Sequence, residues 1–140
     1  MTERILVPFD GSPPSRDALE YAFDTYPDAE ITALYVVPTP ESYFAAFEGA
    51  DVEKLVEGGQ EHGEELLAEA TTIAEDHGRD LETELTTGEP HHVIVDQATD
   101  GGYDAVVMGS HGREGLSRVI LGSVAERVVR RSPIPVVVVR

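Results

Sequence analysis

Short apolar runs alternate with segments of helical periodicity along the whole chain, and this alternation constrains the fold more than any other feature. Residues 4–9, 30–37, 105–108 and Val136–Val139 are rich in β-branched and aliphatic side chains, while residues 81–86 alternate apolar with polar side chains, as a half-exposed edge strand does. The order β-α-β-α-β-α-β-α-β predicts a doubly wound, Rossmann-like α/β fold. We expect a five-stranded parallel sheet in the order 3-2-1-4-5, with helices on both faces.

Capping and breaking residues delimit the helices. The first is predicted from Ser12, an N-cap residue followed by two prolines, to about Tyr26. The second is a long acidic helix over residues 51–77, whose first half is weakened by glycines, namely Gly58, Gly59 and Gly63. The third begins at Pro90, and the fourth covers about Ser123–Arg131. Residues 38–50 have no clean period and predict a loop, whose aromatic side chains either cover a ligand or plug the end of the sheet or a subunit contact.

The predicted strand order also locates a ligand site. In open α/β sheets ligands bind outside the carboxyl ends of the strands, at the point where the strand order reverses. In the order 3-2-1-4-5 this point lies between the first and fourth strands. Asp10 follows the first strand and Gly109 follows the fourth, so both residues are expected in one crevice.

A glycine-rich loop follows the fourth strand after Met108. Its glycines have the spacing G-x2-G-x9-G-S, formed by Gly109, Gly112, Gly122 and Ser123. Glycines let backbone N–H groups approach a phosphate, and the helix start after Gly122 adds unpaired N–H groups and a positive dipole end. The P-loop, dinucleotide and nucleophile-elbow patterns are absent from the sequence. The loop therefore predicts a nucleotide-phosphate site of another kind.

The complete spaced motif, the Asp-Gly-Ser turn after the first strand and the closing SPIPVVVV resemble the universal stress protein (UspA-like) family, in the subgroup that binds ATP. The resemblance implies an adenine-nucleotide-binding protein that forms homodimers, usually by antiparallel pairing of the last strands, here Val136–Val139. The glycines and Ser123 match the phosphate and ribose loop, and the backbone of Val36 falls where the family holds adenine. The implied site residues are Pro8, Asp10, Val36, Met108, Gly109, Ser110, His111, Gly112, Arg113, Gly122, Ser123 and Val124.

Several candidate residues have two interpretations. Asp10 either coordinates Mg²⁺ or Mn²⁺ through the nucleotide phosphates, or it only caps its turn or binds a ribose hydroxyl. His111 and Arg113 either bind the outer phosphates or belong to a solvated loop. His91 and His92 have no metal-type partner at matching spacing and are expected on the surface.

The charge balance excludes several classes of partner. The chain has 140 residues, enough for a single domain with its own core, and carries 27 acidic against 10 basic residues, of which only Lys54 is lysine. The net charge of -17 repels nucleic acid and anionic membranes, so neither is expected as a partner. Few lysines and many carboxylates are typical of proteins from salt-loving archaea, and an ordinary acidic bacterial protein is the alternative. No apolar run is long enough to span a bilayer and no signal-peptide pattern is present, which predicts a cytoplasmic protein. The absence of cysteine excludes disulfides, thiolate zinc sites and cysteine nucleophiles.

These features together predict an ATP-binding, dimeric stress-response or signalling protein in which nucleotide occupancy acts as a signal. Catalytic residues are not expected, because no general base is paired with a nucleophile and the chain has no arginine and lysine clamp for phosphoryl transfer. Two alternatives remain open: a slow ATPase or nucleotidyl-transfer enzyme, and a dimeric interaction module without a nucleotide.

Overall fold

A computed structural model describes residues 2–38, 52–110 and 122–140. The described elements alternate strictly between strand and helix. They are β1 (Arg4–Pro8), α1 (Pro13–Thr25), β2 (Glu30–Pro38), α2 (Val52–Asp76), β3 (Glu82–Gly88), α3 (Pro90–Asp100), β4 (Ala105–Gly109), α4 (Ser123–Arg131) and β5 (Val136–Val139). All but the first residue of the predicted 38–50 loop lie outside the described residues.

The five strands form one parallel sheet in the order β3-β2-β1-β4-β5, which confirms the predicted fold class and strand order. β1 is central and pairs with β2 on one side, with Pro8 opposite Leu34, and with β4 on the other, with Leu6 opposite Val106. The reversal of strand order therefore falls between β1 and β4. β3 is an edge strand with mostly exposed side chains, as its alternating sequence predicts.

The two faces of the sheet are covered by different helices because successive side chains of a strand point to opposite faces. Ile5 and Val7 pack against α1 and α2, where Leu19 and Ala70 are completely buried. Leu6 lies on the opposite face, with the core residues of α3 and α4, namely Ile94, Ala98, Ala125 and Val128. The sheet thus has a hydrophobic core on each side, as a doubly wound fold requires.

The long helix α2 is continuous through its glycines. Gly63 belongs to the buried stripe of this helix, together with Leu66, Leu67, Ala70 and Ala74. Gly63 has a role in packing in addition to its low helix propensity. This residue lies where the helix contacts β2 and β3, so a glycine is present because the helix approaches the sheet closely.

No helix among the described residues combines the length and the apolar character needed to cross a membrane.

Candidate functional site

A cleft of about 230 Å³ opens at the carboxyl ends of β1, β2 and β4. It lies at the switch point of the sheet, where open α/β folds bind ligands. Its walls are mostly apolar and come from both faces of the sheet. The lining residues in the described part of the chain are Pro8, Phe9, Asp10, Ser15, Leu34, Tyr35, Val36, Pro38, Pro90, Ile94, Met108, Gly109 and Val124.

Half of the site residues predicted from sequence line this cleft. These are Pro8, Asp10, Val36, Met108, Gly109 and Val124. Ser110 and Ser123 are next to the lining residues Gly109 and Val124 along the chain, and Gly122 is two positions before Val124, but none of the three is itself in the cleft wall. His111, Gly112 and Arg113 lie outside the described residues. Asp10 and Gly109, which lie at the carboxyl ends of two strands far apart in sequence, are thus brought to one crevice.

Sequence reasoning missed most of the apolar wall. Leu34, Tyr35 and Pro38 come from the end of β2, while Pro90 and Ile94 come from the first two turns of α3. The available signal was positional, since these residues lie at the carboxyl ends of strands or at the helix starts that follow them. No glycine or polar motif marks them, because apolar walls need only volume and shape.

The backbone of Val36 faces a gap in the sheet. Phe9 donates its N–H to the carbonyl oxygen of Leu34 at 2.8 Å, which is the last bond between β1 and β2 in the described residues. Backbone groups alternate in direction along a strand, so Val36 is the next residue of β2 that points its N–H and carbonyl toward β1. β1 has already turned away at that level. One donor and one acceptor are therefore presented at the cleft by Val36 rather than by Val37.

Polar groups in the turn between β1 and α1 form hydrogen bonds with one another. Asp10 accepts hydrogen bonds through Oδ1 from the backbone N–H of Ser12 at 3.0 Å and from its hydroxyl at 2.5 Å. The Ser12 Oγ in turn caps α1 by accepting from the N–H of Ser15 at 3.3 Å. Of the interpretations of Asp10, the turn-capping contact is present in the structure. A role toward a metal or a ribose stays a prediction.

Gly109 is required by packing. A Cβ at this position would lie 2.5 Å from the carbonyl carbon of Pro14 and 2.6 Å from its oxygen. The end of β4 therefore passes against the first turn of α1 with no room for a side chain. Approach of a phosphate is not needed to explain the first glycine of the motif, although this residue does line the cleft.

The start of α4, beside the cleft, offers backbone donors that have no acceptor within the helix. Gly122 is the N-cap residue, with φ −64° and ψ 158°, and has no side chain to bond the helix amides. The first intrahelical bond runs from the N–H of Glu126 to the Gly122 carbonyl at 2.9 Å. The N–H groups of Ser123, Val124 and Ala125 therefore have no acceptor within the helix. Such a helix start, with its positive dipole end, can bind an anion.

His91 corrects the expectation of two surface histidines. Its relative exposure is 6%, whereas His92 is exposed. The first turn of α3 packs against α4, and Nδ1 of His91 lies 3.6 Å from Oε1 of Glu89, which is itself 3.9 Å from a guanidinium nitrogen of Arg127. Burial lowers the pKa of His91 below its ordinary value of 6.5, and the nearby cationic residues His92, Arg127 and Arg131 lower it further, against the opposing effect of Glu89.

Histidine and carboxylate side chains do not form a metal site in the described part of the chain. No group of three or more such residues is placed to hold an ion within residues 2–38, 52–110 and 122–140. The predicted Mg²⁺ or Mn²⁺ therefore depends on the phosphates of a nucleotide for most of its ligands, as the sequence-based hypothesis for Asp10 also requires.

Comparison with known proteins identifies the family. The model of the Universal stress protein family matches residues 1–140. This chain belongs to the universal stress protein family.

Relatives cover nearly the whole chain. The universal stress protein MJ0531 of Methanocaldococcus jannaschii is 38% identical over 140 residues, which cover 99% of this chain and 82% of the relative. The universal stress protein MJ0577 of the same organism is 35% identical over 155 residues, covering 100% of this chain and 96% of the relative. Universal stress protein YxiE of Bacillus subtilis is 32% identical over 148 residues, with both chains fully covered.

Solved structures of family members share the fold. The structure of MJ0577 superimposes with a TM-score of 0.78 and 32% identity, over 99% of this chain and 96% of the other. A universal stress protein solved in complex with cAMP superimposes with a TM-score of 0.74 and 26% identity, over 99% and 97% of the two chains. An adenine nucleotide is therefore a ligand of at least one protein with this fold.

Proposed function

We propose that this universal stress protein binds ATP, or another adenine nucleotide, in the cleft at the switch point and acts as a dimeric stress-response or signalling protein. The observation that carries the proposal is the pairing of two complementary features at one crevice. On one side lies an apolar wall with the outward-facing backbone of Val36, and on the other lies the open N-terminus of α4.

The two features suit the two ends of a nucleotide. The apolar wall, which includes Ile94 and Met108, gives a flat base an apolar surface to pack on. The N–H and carbonyl of Val36 match the ring-nitrogen acceptor and exocyclic amino donor of adenine. The N–H groups at the start of α4 suit the phosphates. The net charge of -17 would otherwise repel a polyphosphate, so local donors of this kind are needed for binding.

Calorimetric titration of the dialysed protein in molar salt tests the proposal. ATP, ADP, AMP, cAMP and GTP are compared, each with and without Mn²⁺. Selective binding of the adenine nucleotides is expected, and a gain in affinity with Mn²⁺ would support the metal interpretation of Asp10. Absence of binding by every nucleotide would favour the alternative of a dimeric interaction module.

An enzymatic activity is the second alternative. The proposal assigns no catalytic residue. The Ser12 hydroxyl does donate to the Asp10 carboxylate, but the same oxygen accepts from the Ser15 N–H as the cap of α1, so the pair has a structural role in the turn. Incubation with ATP and Mg²⁺ or Mn²⁺ is expected to give at most weak hydrolysis. Sustained multiple-turnover release of ADP or AMP would make the enzyme alternative correct.

Dimerisation is proposed through the outer edge of β5. Val106 and Ser110 donate N–H bonds to Pro135 and Val139, so the odd-numbered residues of the strand bond to β4. By alternation, the backbone groups of Val138 point away from the sheet and are available to a second β5. Antiparallel pairing across a two-fold axis removes this open edge.

Proline at position 138 tests the strand pairing. Val138→Pro removes an outward-pointing N–H while leaving every bond to β4 in place, and Val138→Thr is the matched control that keeps the N–H. Sedimentation is expected to show a smaller assembly for the proline variant only. A proline variant that still sediments as a dimer would rule out pairing through β5.

The proposal extends to the cellular setting. The excess of carboxylates and the single lysine support an origin in a salt-loving archaeon and a cytoplasmic location. Such a protein is expected to gain thermal stability steadily from dilute buffer to molar KCl, because salt screens the repulsion between its carboxylates. A melting temperature independent of salt would favour an ordinary acidic bacterial protein instead.

A further inference from the structure

Two large apolar side chains are exposed among the described residues. Tyr21 of α1 is 38% exposed and Val129 of α4 is 43% exposed, whereas the other large apolar side chains of these two helices are buried or half-buried. Single apolar residues on a surface are common and carry no argument by themselves. These two share a position in the fold, because each belongs to a helix that contacts β5, and the two helices cover opposite faces of the sheet.

Tyr21 lies on the side of α1 that faces the β5 edge of the sheet. The opposite side of α1 contacts α2 through the ion pair of Arg16 with Glu69, and α2 covers β2 and β3 at the far end of the sheet. Tyr21 follows Arg16 by five residues, which turns it about 140° around the helix. It follows Pro14, which packs against Gly109 of β4, by about two full turns. Tyr21 therefore points away from α2 and toward β5.

Val129 lies on the corresponding side of α4, on the other face of the sheet. α4 contacts α3 through Arg127, whose guanidinium nitrogen is 3.9 Å from Oε1 of Glu89, and α3 covers β2 and β3. Val129 follows Arg127 by two residues, or about 200° around the helix, so it points away from α3. The side of α4 away from α3 is the side of the open β5 edge.

The strand β5 lies between these two side chains. All four of its valines are half-buried. Val137 and Val139 pack toward the core on the α1 face, and Val136 packs toward the core that contains the buried residues of α4. Tyr21, Val136–Val139 and Val129 thus form an apolar strip that crosses the open edge from one face of the sheet to the other. We call these residues the edge strip.

The edge strip differs in charge from the rest of the surface. β5 is uncharged from Val136 to Val139, and so are Pro14 and Thr25, which share the side of α1 that carries Tyr21. On α4 the nearest carboxylate along the helix belongs to Glu126, whose Oε1 pairs with a guanidinium nitrogen of Arg130 at 2.8 Å. A chain of net charge -17 repels its own copies over most of its surface, so self-association is favoured where unpaired carboxylates are few.

We propose that a second copy of this chain covers the edge strip, with Tyr21 and Val129 as the hydrophobic anchors on the two sides of the paired β5 strands. The inference rests on the proposed function, because it assumes that β5 pairs across a two-fold axis. A strand of four residues supplies only a few backbone hydrogen bonds, whereas the flanking helices add apolar burial above and below the paired strands. The occupant is a copy of this chain because an open strand edge pairs with a second open edge, and the strip is continuous with that edge.

Aspartate substitutions test the two anchors. Tyr21→Asp and Val129→Asp are compared with Ala68→Asp, which adds the same charge at an exposed position of α2, remote from β5. The dissociation constant of the dimer, measured by sedimentation in molar KCl, is expected to rise roughly 100-fold for each anchor variant, because the unpaired carboxylate is buried once in each copy. The control is expected to stay within about threefold of wild type.

The outcomes separate this inference from the proposed dimer. If either anchor variant dimerises as tightly as wild type, the anchors are wrong, while pairing through β5 is unaffected. If the wild-type protein is monomeric, the proposed dimer is wrong as well. Circular dichroism checks that each variant retains the fold.

Thiol labelling provides a second test that does not depend on the folding of the aspartate variants. The chain has no cysteine, so Val129→Cys, Tyr21→Cys and the control Ala68→Cys each introduce a single thiol. Labelling by a maleimide is compared with and without Val138→Pro, which is expected to separate the copies. The two anchor thiols are expected to react roughly tenfold faster when the copies are separated, because reaction requires exposure of the thiol, and the control thiol should react equally in both. Equal rates at position 129 or 21 in the dimer and in the separated copies would overturn the inference.

Discussion

The β1–α1 turn and the start of α4 both lie at the switch point, and they differ in whether their polar groups are hydrogen-bonded within the segment. The β1–α1 turn is closed on itself, because Asp10 accepts from Ser12 and Ser12 caps Ser15, while the first two residues of α1 are prolines without N–H groups. The start of α4 is open, because Gly122 leaves three helix amides without intrahelical acceptors. The β1–α1 turn is thus closed by its own hydrogen bonds, whereas the start of α4 has the backbone donors that the proposed phosphate site requires.

Two glycines of the motif, Gly109 and Gly122, also differ in whether the fold requires a glycine at their positions. Gly109 is needed because β4 passes against Pro14, whereas Gly122 has φ −64° and ψ 158°, a conformation open to other residues. One spaced motif therefore contains a glycine that packing requires and a glycine whose backbone conformation does not require it. Substitutions should separate them, with a loss of stability at one and a loss of binding at the other.

The largest effect is expected for Gly122→Val. A branched side chain at the N-cap stands where a phosphate must approach the α4 amides, and loss of charge-assisted hydrogen bonds is expected to weaken ATP binding by roughly 10- to 100-fold. Calorimetry measures the affinity, and the melting temperature checks that the fold is retained. Unchanged affinity would remove α4 from the phosphate site.

Gly109→Ala should instead act on stability. Its Cβ would overlap the backbone of Pro14 at 2.5 Å, so overpacking is expected to cost about 1–3 kcal/mol of unfolding free energy. Denaturant unfolding in molar salt measures this cost, and Gly58→Ala, whose Cβ has room, is the matched control. If Gly109→Ala were as stable as wild type, the close approach of β4 to α1 would not be the reason for this glycine.

Ser12→Ala tests whether the β1–α1 turn is only structural. Removing the hydroxyl deletes the cap of α1 and one hydrogen bond to Asp10, at a cost of about 1 kcal/mol of unfolding free energy. The affinity for ATP is expected to stay within about twofold of wild type, a free-energy change of less than ~0.5 kcal/mol. A loss as large as that of Gly122→Val would show that both loops bind the ligand.

The smallest effect is expected at His91, which lies where α3 packs against α4. Its pKa is lowered in the folded protein by burial first, so the folded state disfavours the protonated ring relative to the unfolded chain, where the pKa is 6.5. The stability contributed by neutral His91 is therefore complete above pH 6.5 and is lost as the pH falls below this value toward the lowered folded pKa. His91→Gln should flatten the acid side of the stability profile.

Exposed His92 provides the control for this pH dependence. It is the neighbour of His91 on α3, and its substitution also removes one histidine from the chain. His92→Gln is expected to leave the acid limb of the profile close to that of wild type. Identical profiles for wild type and His91→Gln would show that the carboxylates alone set the acid sensitivity.

The alternation of apolar periods was enough to predict the elements, because each strand and helix depends on local side-chain spacing. The strand order was expected from the doubly wound fold class that this alternation indicates, and the sheet confirms it. The α4 boundaries follow from Gly122 and from Ser132 before a proline, which are local signals as well. The burial of His91 and Gly63 could not be predicted in this way. Both depend on contacts with elements distant in sequence, α4 for His91 and the β2–β3 pair for Gly63.

The residues of the candidate site also fall into those that a sequence motif marks and those that only the packed structure reveals. Glycine spacing and the ends of strands pointed to Asp10 and Gly109, since these are features that a sequence displays. The wall formed by Tyr35 and Ile94 has no motif, because its residues are ordinary core residues that happen to lie at the rim of the sheet. Likewise, the role of Pro14 in requiring Gly109 appears only once β4 and α1 are packed together.

A crystal structure of the protein with ATP tests the central claim most directly, because it locates both ends of the ligand. The account predicts the base against Val36 and Ile94, and a phosphate oxygen within hydrogen-bonding distance of the Ser123 or Val124 N–H. Phosphates bound instead at the β1–α1 turn, or a nucleotide bound outside the cleft, would contradict the assignment of α4 as the anion-binding element.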